Sequence, residues 1–155
     1  MNLKRKILLA LLIAFAGIQF IQPVRNKSGR ILSTDISKMV AIPDSVQTFL
    51  KNACYDCHSN NTNYPWYVKI QPMGWLMAKH IRQGKEVLNF SEFGAYSNRK
   101  QQSKLKAIAN SIKDNTMPLR SYLLLHRSSK LSLDDKTVLL DWISKTKDSL
   151  TLINK

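Results

Sequence analysis

Acidic side chains are scarce in this sequence: ten Asp and Glu face 24 Lys and Arg, a formal charge of +14. Such an excess implies an acidic partner, an anionic membrane surface or nucleic acid. No helix-turn-helix, zinc-finger or RNP-like pattern accompanies the charge, so nucleic acid is not expected. Glycine and proline are also sparse, five of each in 155 residues of which 44% are apolar, and this describes one folded domain. There are two cysteines and three histidines. A structural zinc site would need a second ligand pair at finger-like spacing, and only His80 and His126 remain, far apart in the chain. A thioredoxin-like dithiol would need a βαβ setting, whereas the flanks of the cysteines read as helix and polar loop.

Both cysteines and the third histidine fall in one run, Cys54-Tyr55-Asp56-Cys57-His58. This is the pattern that attaches a c-type haem: two thiols add to the haem vinyl groups and the following imidazole binds the iron. Positions three apart lie on one face of a helix, and a residue just beyond can turn its ring under the porphyrin.

Before this motif, Lys4, Arg5 and Lys6 precede an uncharged stretch over residues 7–24, interrupted mainly by Gln19 and Gln22. As a helix it would reach about 27 Å, close to the hydrocarbon thickness of a bilayer. Ala14-Phe15-Ala16 has the form of a signal-peptide cleavage site, yet the apolar run continues past it, which favours a retained anchor over residues 1–25. A buried core helix would not carry so clean a basic flank. Residues 26–42 lack periodicity and read as a linker. The haem domain is expected over residues 43–147, with a polar tail at 148–155.

Within that domain Asp44 is a plausible N-cap, and Val46, Phe49, Leu50 and Ala53 form the stripe of a helix that delivers Cys54. Tyr64 and Trp66, in the cluster Tyr64-Pro65-Trp66-Tyr67, and Trp75 on the next helix are candidate walls for a large apolar cofactor. That next helix starts at Pro72 and runs to about Gln83, closed by Gly84. A further helix is expected over residues 98–113, with Leu105, Ile108, Ala109 and Ile112 on one face. Met117-Pro118 follows in a loop, then a short helix holding Tyr122 and His126. The last helix opens with Ser132 and Asp135, a relative of the capping box, buries Leu139, Trp142 and Ile143, and frays after about Lys147.

The helix into the motif, the downstream Met-Pro loop and the terminal amphipathic helix resemble the class I cytochrome c plan, which implies an all-α, cytochrome c-like fold around one haem. In that plan the first and last helices cross, here placing Phe49 against Trp142, and a proline such as Pro65 or Pro72 lies near the carbonyl that accepts from the proximal histidine. More closely, CYDCHSN, the Tyr64 cluster, Trp75 with His80, LNFSEF from Leu88, Met117-Pro118, and Tyr122 with His126 resemble the small membrane-anchored bacterial proteins with a haem-binding domain. The resemblance covers about residues 43–147. It implies covalent haem c and a domain on the outer side of the cytoplasmic membrane, where thioether attachment takes place.

For the iron, His58 is the expected proximal ligand. Met117 is the expected sixth ligand, because Pro118 stiffens its loop and leaves the thioether free to point inward. His80 is the alternative, with His126 behind it; Met73 and Met77, on a helical face, are expected to pack. A six-coordinate iron in a closed shell makes an electron carrier rather than an enzyme, the reading favoured here, whereas an open or displaceable sixth position makes a gas- or peroxide-binding site, sensor or enzyme. Seven basic residues between positions 79 and 106, against Glu86 and Glu92, form a candidate docking face for an acidic redox partner or anionic lipid.

Overall fold

The computed structural model describes residues 2–152, and among these it contains eight α-helices and no strand. Leu3–Ile18 forms α1, Ile36–Met39 α2, Asp44–Ala53 α3, Tyr55–His58 α4, Met73–Val87 α5, Asn98–Lys113 α6, Arg120–Leu123 α7 and Leu133–Leu152 α8. Single 3-10 segments lie at Trp66–Lys69, Phe90–Ala95 and Arg127–Ser129. The all-α expectation is borne out.

The α3 stripe packs as its spacing requires. Val46 and Leu50, one turn apart, are both fully buried, each such side chain stabilising the fold by ~1.5–3 kcal/mol. They join Leu105 and Ile112 of α6 and Leu139 and Ile143 of α8 in one core. The boundaries expected for α6 are the ones observed. Phe49 and Trp142 both belong to this core, where α3 meets α8, and the Trp142 indole donates to the Ala41 carbonyl at 3.0 Å. A second, smaller cluster of Val68, Met77 and Ile81 fills the space behind Cys57.

Four expected boundaries move. The helix into the motif starts at Asp44, with Pro43 as its cap, so Asp44 places its charge in the first turn. Gly84 does not close α5, which continues to Val87. The last helix does not fray after Lys147: it is helical to Leu152, and Leu150 is buried, its carbonyl taking the Asn98 amide at 2.8 Å. Residues 153–155 of the expected tail lie outside the described residues.

The fourth change is at the N-terminus, where the helix ends at Ile18 instead of reaching Val24. Gln19 and Gln22 turn onto the domain. Gln71, fully buried, donates its backbone N–H to Gln19 Oε1 at 2.8 Å and its Nε2–H to Gln22 Oε1 at 3.0 Å. Pro23, lacking an N–H, could not have sat inside a continuing α1. Every residue of α1 from Leu3 to Gly17 is exposed, and among the described residues no helix is long and apolar enough to cross a membrane.

Residues 26–42, expected as a linker, are folded against the domain. Asn26 donates to Ser59 O and Thr62 Oγ1, Lys27 pairs with Asn61 in an isolated bridge, and Ile36 is completely buried in the main core. The Asn26 and Ser28 side chains bond the segment after the haem motif, and the Thr34 hydroxyl donates to the Ser91 carbonyl at 3.0 Å.

Candidate functional site

The chain breaks helix at Cys54, whose φ of −129° and ψ of −44° separate α3 from α4. The Cys54 carbonyl accepts from the backbone N–H of both Cys57 (3.2 Å) and His58 (3.0 Å), closing one tight turn that carries the second thiol and the imidazole. This turn lies against α5 at Gly84. A Cβ at position 84 would stand 2.6 Å from the Cys57 carbonyl oxygen, so only glycine permits this approach.

His58 Nδ1 lies 3.1 Å from the Leu88 carbonyl oxygen, to which it donates as N–H. That leaves Nε2 as the nitrogen available to a metal, the arrangement that fixes ring and tautomer in metal-ligating histidines. The acceptor is therefore Leu88, at the end of α5, not a carbonyl near Pro65 or Pro72. Burial lowers the His58 pKa, with the Leu88 and Gly84 carbonyls pulling the other way; the neutral ring is the ligating form. Phe90 packs its ring against the imidazole at 6.4 Å, edge to face.

Cys54, Cys57 and His58 line a cleft of about 230 Å³, open to solvent, together with His80, Met117 and Leu119. A neighbouring cavity of about 110 Å³ shares Cys54, His58, Val87 and Met117 and reaches Lys104 on α6. Neither cysteine is in a disulfide. Burial first, and then the neighbouring Cys57, pushes the Cys54 thiol up to about 12; burial and then Asp56 push Cys57 up to about 11. Both sulfurs are thus neutral thiols in an apolar wall at ordinary pH.

Of the other candidates, Met117 and His80 do come to this cleft. Tyr64, Trp66 and Trp75 do not. The Tyr64 hydroxyl accepts from the Asn26 N–H at 2.8 Å and its ring lies under the Arg25 guanidinium. Trp66 is 74% exposed, and the Trp75 indole donates to the Ile21 carbonyl at 2.8 Å. His126 is engaged at both nitrogens, Nδ1 with the Tyr122 carbonyl at 3.0 Å and Nε2 with the Tyr67 hydroxyl at 3.3 Å. Met77 is buried in the smaller cluster, as expected, and Met73 lines a shallow groove beside His80 and Leu125. Leu88 and Gly84 were missed by sequence reasoning: a backbone acceptor has no residue signature, and Gly84 read as a helix stop.

The residues present fit a haem. Two free thiols, an imidazole oriented through Nδ1, a thioether and apolar walls converge on one cleft, and when bound the haem would supply a one-electron iron couple there. An all-α domain built around such a cleft is a haem-binding protein. The family model described as a haem-binding domain matches residues 13–145, and the chain belongs to that family. The match begins inside α1 and so includes residues 26–42, in keeping with their packing on the domain. No curated protein and no solved structure matches the chain.

Proposed function

We propose that this protein is a membrane-anchored, mono-haem c-type electron carrier that works on the outer side of the cytoplasmic membrane. The observation that carries the reading is the convergence of Cys54, Cys57, His58 and Met117 on one apolar cleft. The two thiols would hold the haem covalently, and His58 Nε2 and the Met117 thioether would be the groups that ligate its iron. A thioether as sixth ligand raises the potential and leaves no site for substrate, which suits transfer of electrons and not catalysis. The partner is an acidic redox protein, drawn to the basic surface that includes Lys104, which lines the neighbouring cavity.

Anchoring falls to α1. Its apolar side chains are exposed on all sides, with Leu11 and Ile13 both more than 60% accessible, and a helix apolar all round seeks a nonpolar solvent. Its sixteen residues reach only ~24 Å, which a bilayer accommodates by local thinning.

His80 in the same cleft supports a second reading, a ligand-binding or sensor domain in which the sixth position is readily displaced. The deciding experiment expresses the chain with cytochrome c maturation machinery. Haem should stay with the polypeptide through acid-acetone extraction, and the ferrous protein should bind carbon monoxide slowly. Extractable haem defeats covalent attachment; rapid carbon monoxide binding gives the domain to the sensor reading.

A further inference from the structure

The aromatic residues that leave the haem cleft gather where α1 joins the domain. The Trp75 indole is bonded to the Ile21 carbonyl, and Gln22 Nε2–H donates to the Lys69 carbonyl at 3.2 Å. Lys69 ends the 3-10 turn that begins at Trp66, and Ile70 follows it directly. Trp66, Ile70, Trp75 and Leu76 are all exposed. In the adjoining stretch Phe20 is 89% and Val24 95% accessible. Arg25, Lys27 and Lys69 line a single groove beside Pro65 and Val68, and no acidic side chain lines it.

Exposed tryptophans, branched aliphatics and cations around the end of an apolar helix have one common solvent, the headgroup region of a bilayer. Tryptophan rings concentrate there, and lysine and arginine reach from there to anionic phosphates. A helix shorter than the hydrocarbon is thick draws its flanking residues inward, which brings this rim to the lipid.

We propose that the rim of Trp66, Ile70, Trp75 and Leu76, with Arg25, Lys27 and Lys69 about it, seats the haem domain on an anionic phospholipid surface. The proposal rests on the anchoring of α1 proposed above. It gives the glutamine clamp a purpose: Gln19, Gln22 and Gln71 lock the anchor to the seat so that the domain cannot swing. Helix α5 begins at this seat and first reaches the cleft at His80, five residues beyond Trp75 and so ~7.5 Å along its axis. The haem is then held at a fixed height and tilt for a partner in the same membrane.

The test uses the full-length, haem-loaded protein in phosphatidylcholine–phosphatidylglycerol vesicles whose acyl chains carry bromine near the headgroup. Tryptophan emission is taken as a ratio to unbrominated vesicles, so that quenching by the haem cancels. Wild type should lose emission to bromine, Trp66→Phe and Trp75→Phe should each remove part of that loss, and the double variant, reporting only buried Trp142, should show none. The loss should shrink in pure phosphatidylcholine. A protein that floats with the vesicles yet shows no bromine quenching overturns the seat and leaves the anchor standing. Equal quenching in both lipids overturns the role of the cations, and failure to float overturns the anchor and the seat together.

Discussion

The Tyr122 hydroxyl donates to Asp56 Oδ2 at 2.7 Å, tying the helix that follows the Met117 loop to the residue between the two cysteines. The same ring stacks on His126 at 3.9 Å, and burial, then the bond to Asp56, raises the pKa of its phenol. One side chain thus connects the two parts of the chain that must enclose the haem.

Replacing Tyr122 with Phe leaves the stacking and removes only that bond. Denaturant unfolding of the haem-loaded protein should show a loss of about 1.5–3 kcal/mol, the usual worth of a hydrogen bond to a charged group. Tyr67→Phe, which loses the longer 3.3 Å contact to His126, should cost less. Equal losses would mean that the Asp56 bond carries no special share.

Gly84→Ala should destabilise the protein although Ala is the better helix former. The gain in helix propensity is about 1 kcal/mol, and forcing a methyl against the Cys57 backbone costs ~1–3 kcal/mol. Haem loading should fall with stability, because the displaced segment carries Cys57 and His58. Gly17→Ala in α1, where nothing lies within 4 Å of the new methyl, is the control and should be harmless.

Met117→Ala should abolish the weak near-infrared sulfur-to-iron band of the ferric protein, lower its potential and open the iron to carbon monoxide. His80→Ala should leave all three unchanged. The reverse pattern in absorption spectra and redox titration would make His80 the ligand and Met117, which is 39% exposed at the rim of the cleft, a packing residue.

Ser132 and Asp135 form a reciprocal cap on α8: the Ser132 N–H donates to Asp135 Oδ2 at 2.8 Å and the Asp135 N–H to Ser132 Oγ at 3.1 Å. The Ser132 backbone bond, then its side-chain bond, holds the Asp135 carboxyl below its ordinary 3.8. A depressed folded pKa stabilises above the unfolded value and is lost as pH falls through the folded one. Asp135→Asn should therefore lower stability at neutral pH and narrow its gap to wild type below pH 3.8, as read by urea midpoints across an acid series. A gap independent of pH would locate the effect elsewhere.

What could be read along the chain depended on contacts between near neighbours. The five-residue haem motif, the apolar stripes of α3 and α6, and the Ser132–Asp135 cap each lie within a few turns of one another, and helix geometry alone brings such residues together. Those readings carried the all-α class, the family and the position of the two thiols and the imidazole. Aromatic content misled at Tyr64, Trp66 and Trp75, because a large ring wants burial or an interface, and its position in sequence does not say which. Only the tertiary structure decided that Leu88, thirty residues from His58, supplies the carbonyl that orients the imidazole, since every residue offers the same acceptor and packing alone selects one. It likewise decided that Gly84 admits the Cys57 turn and that a buried glutamine at position 71 holds Gln19 and Gln22 where the first helix ends at Ile18, because a close approach and a satisfied amide exist only between segments that the fold has already brought together.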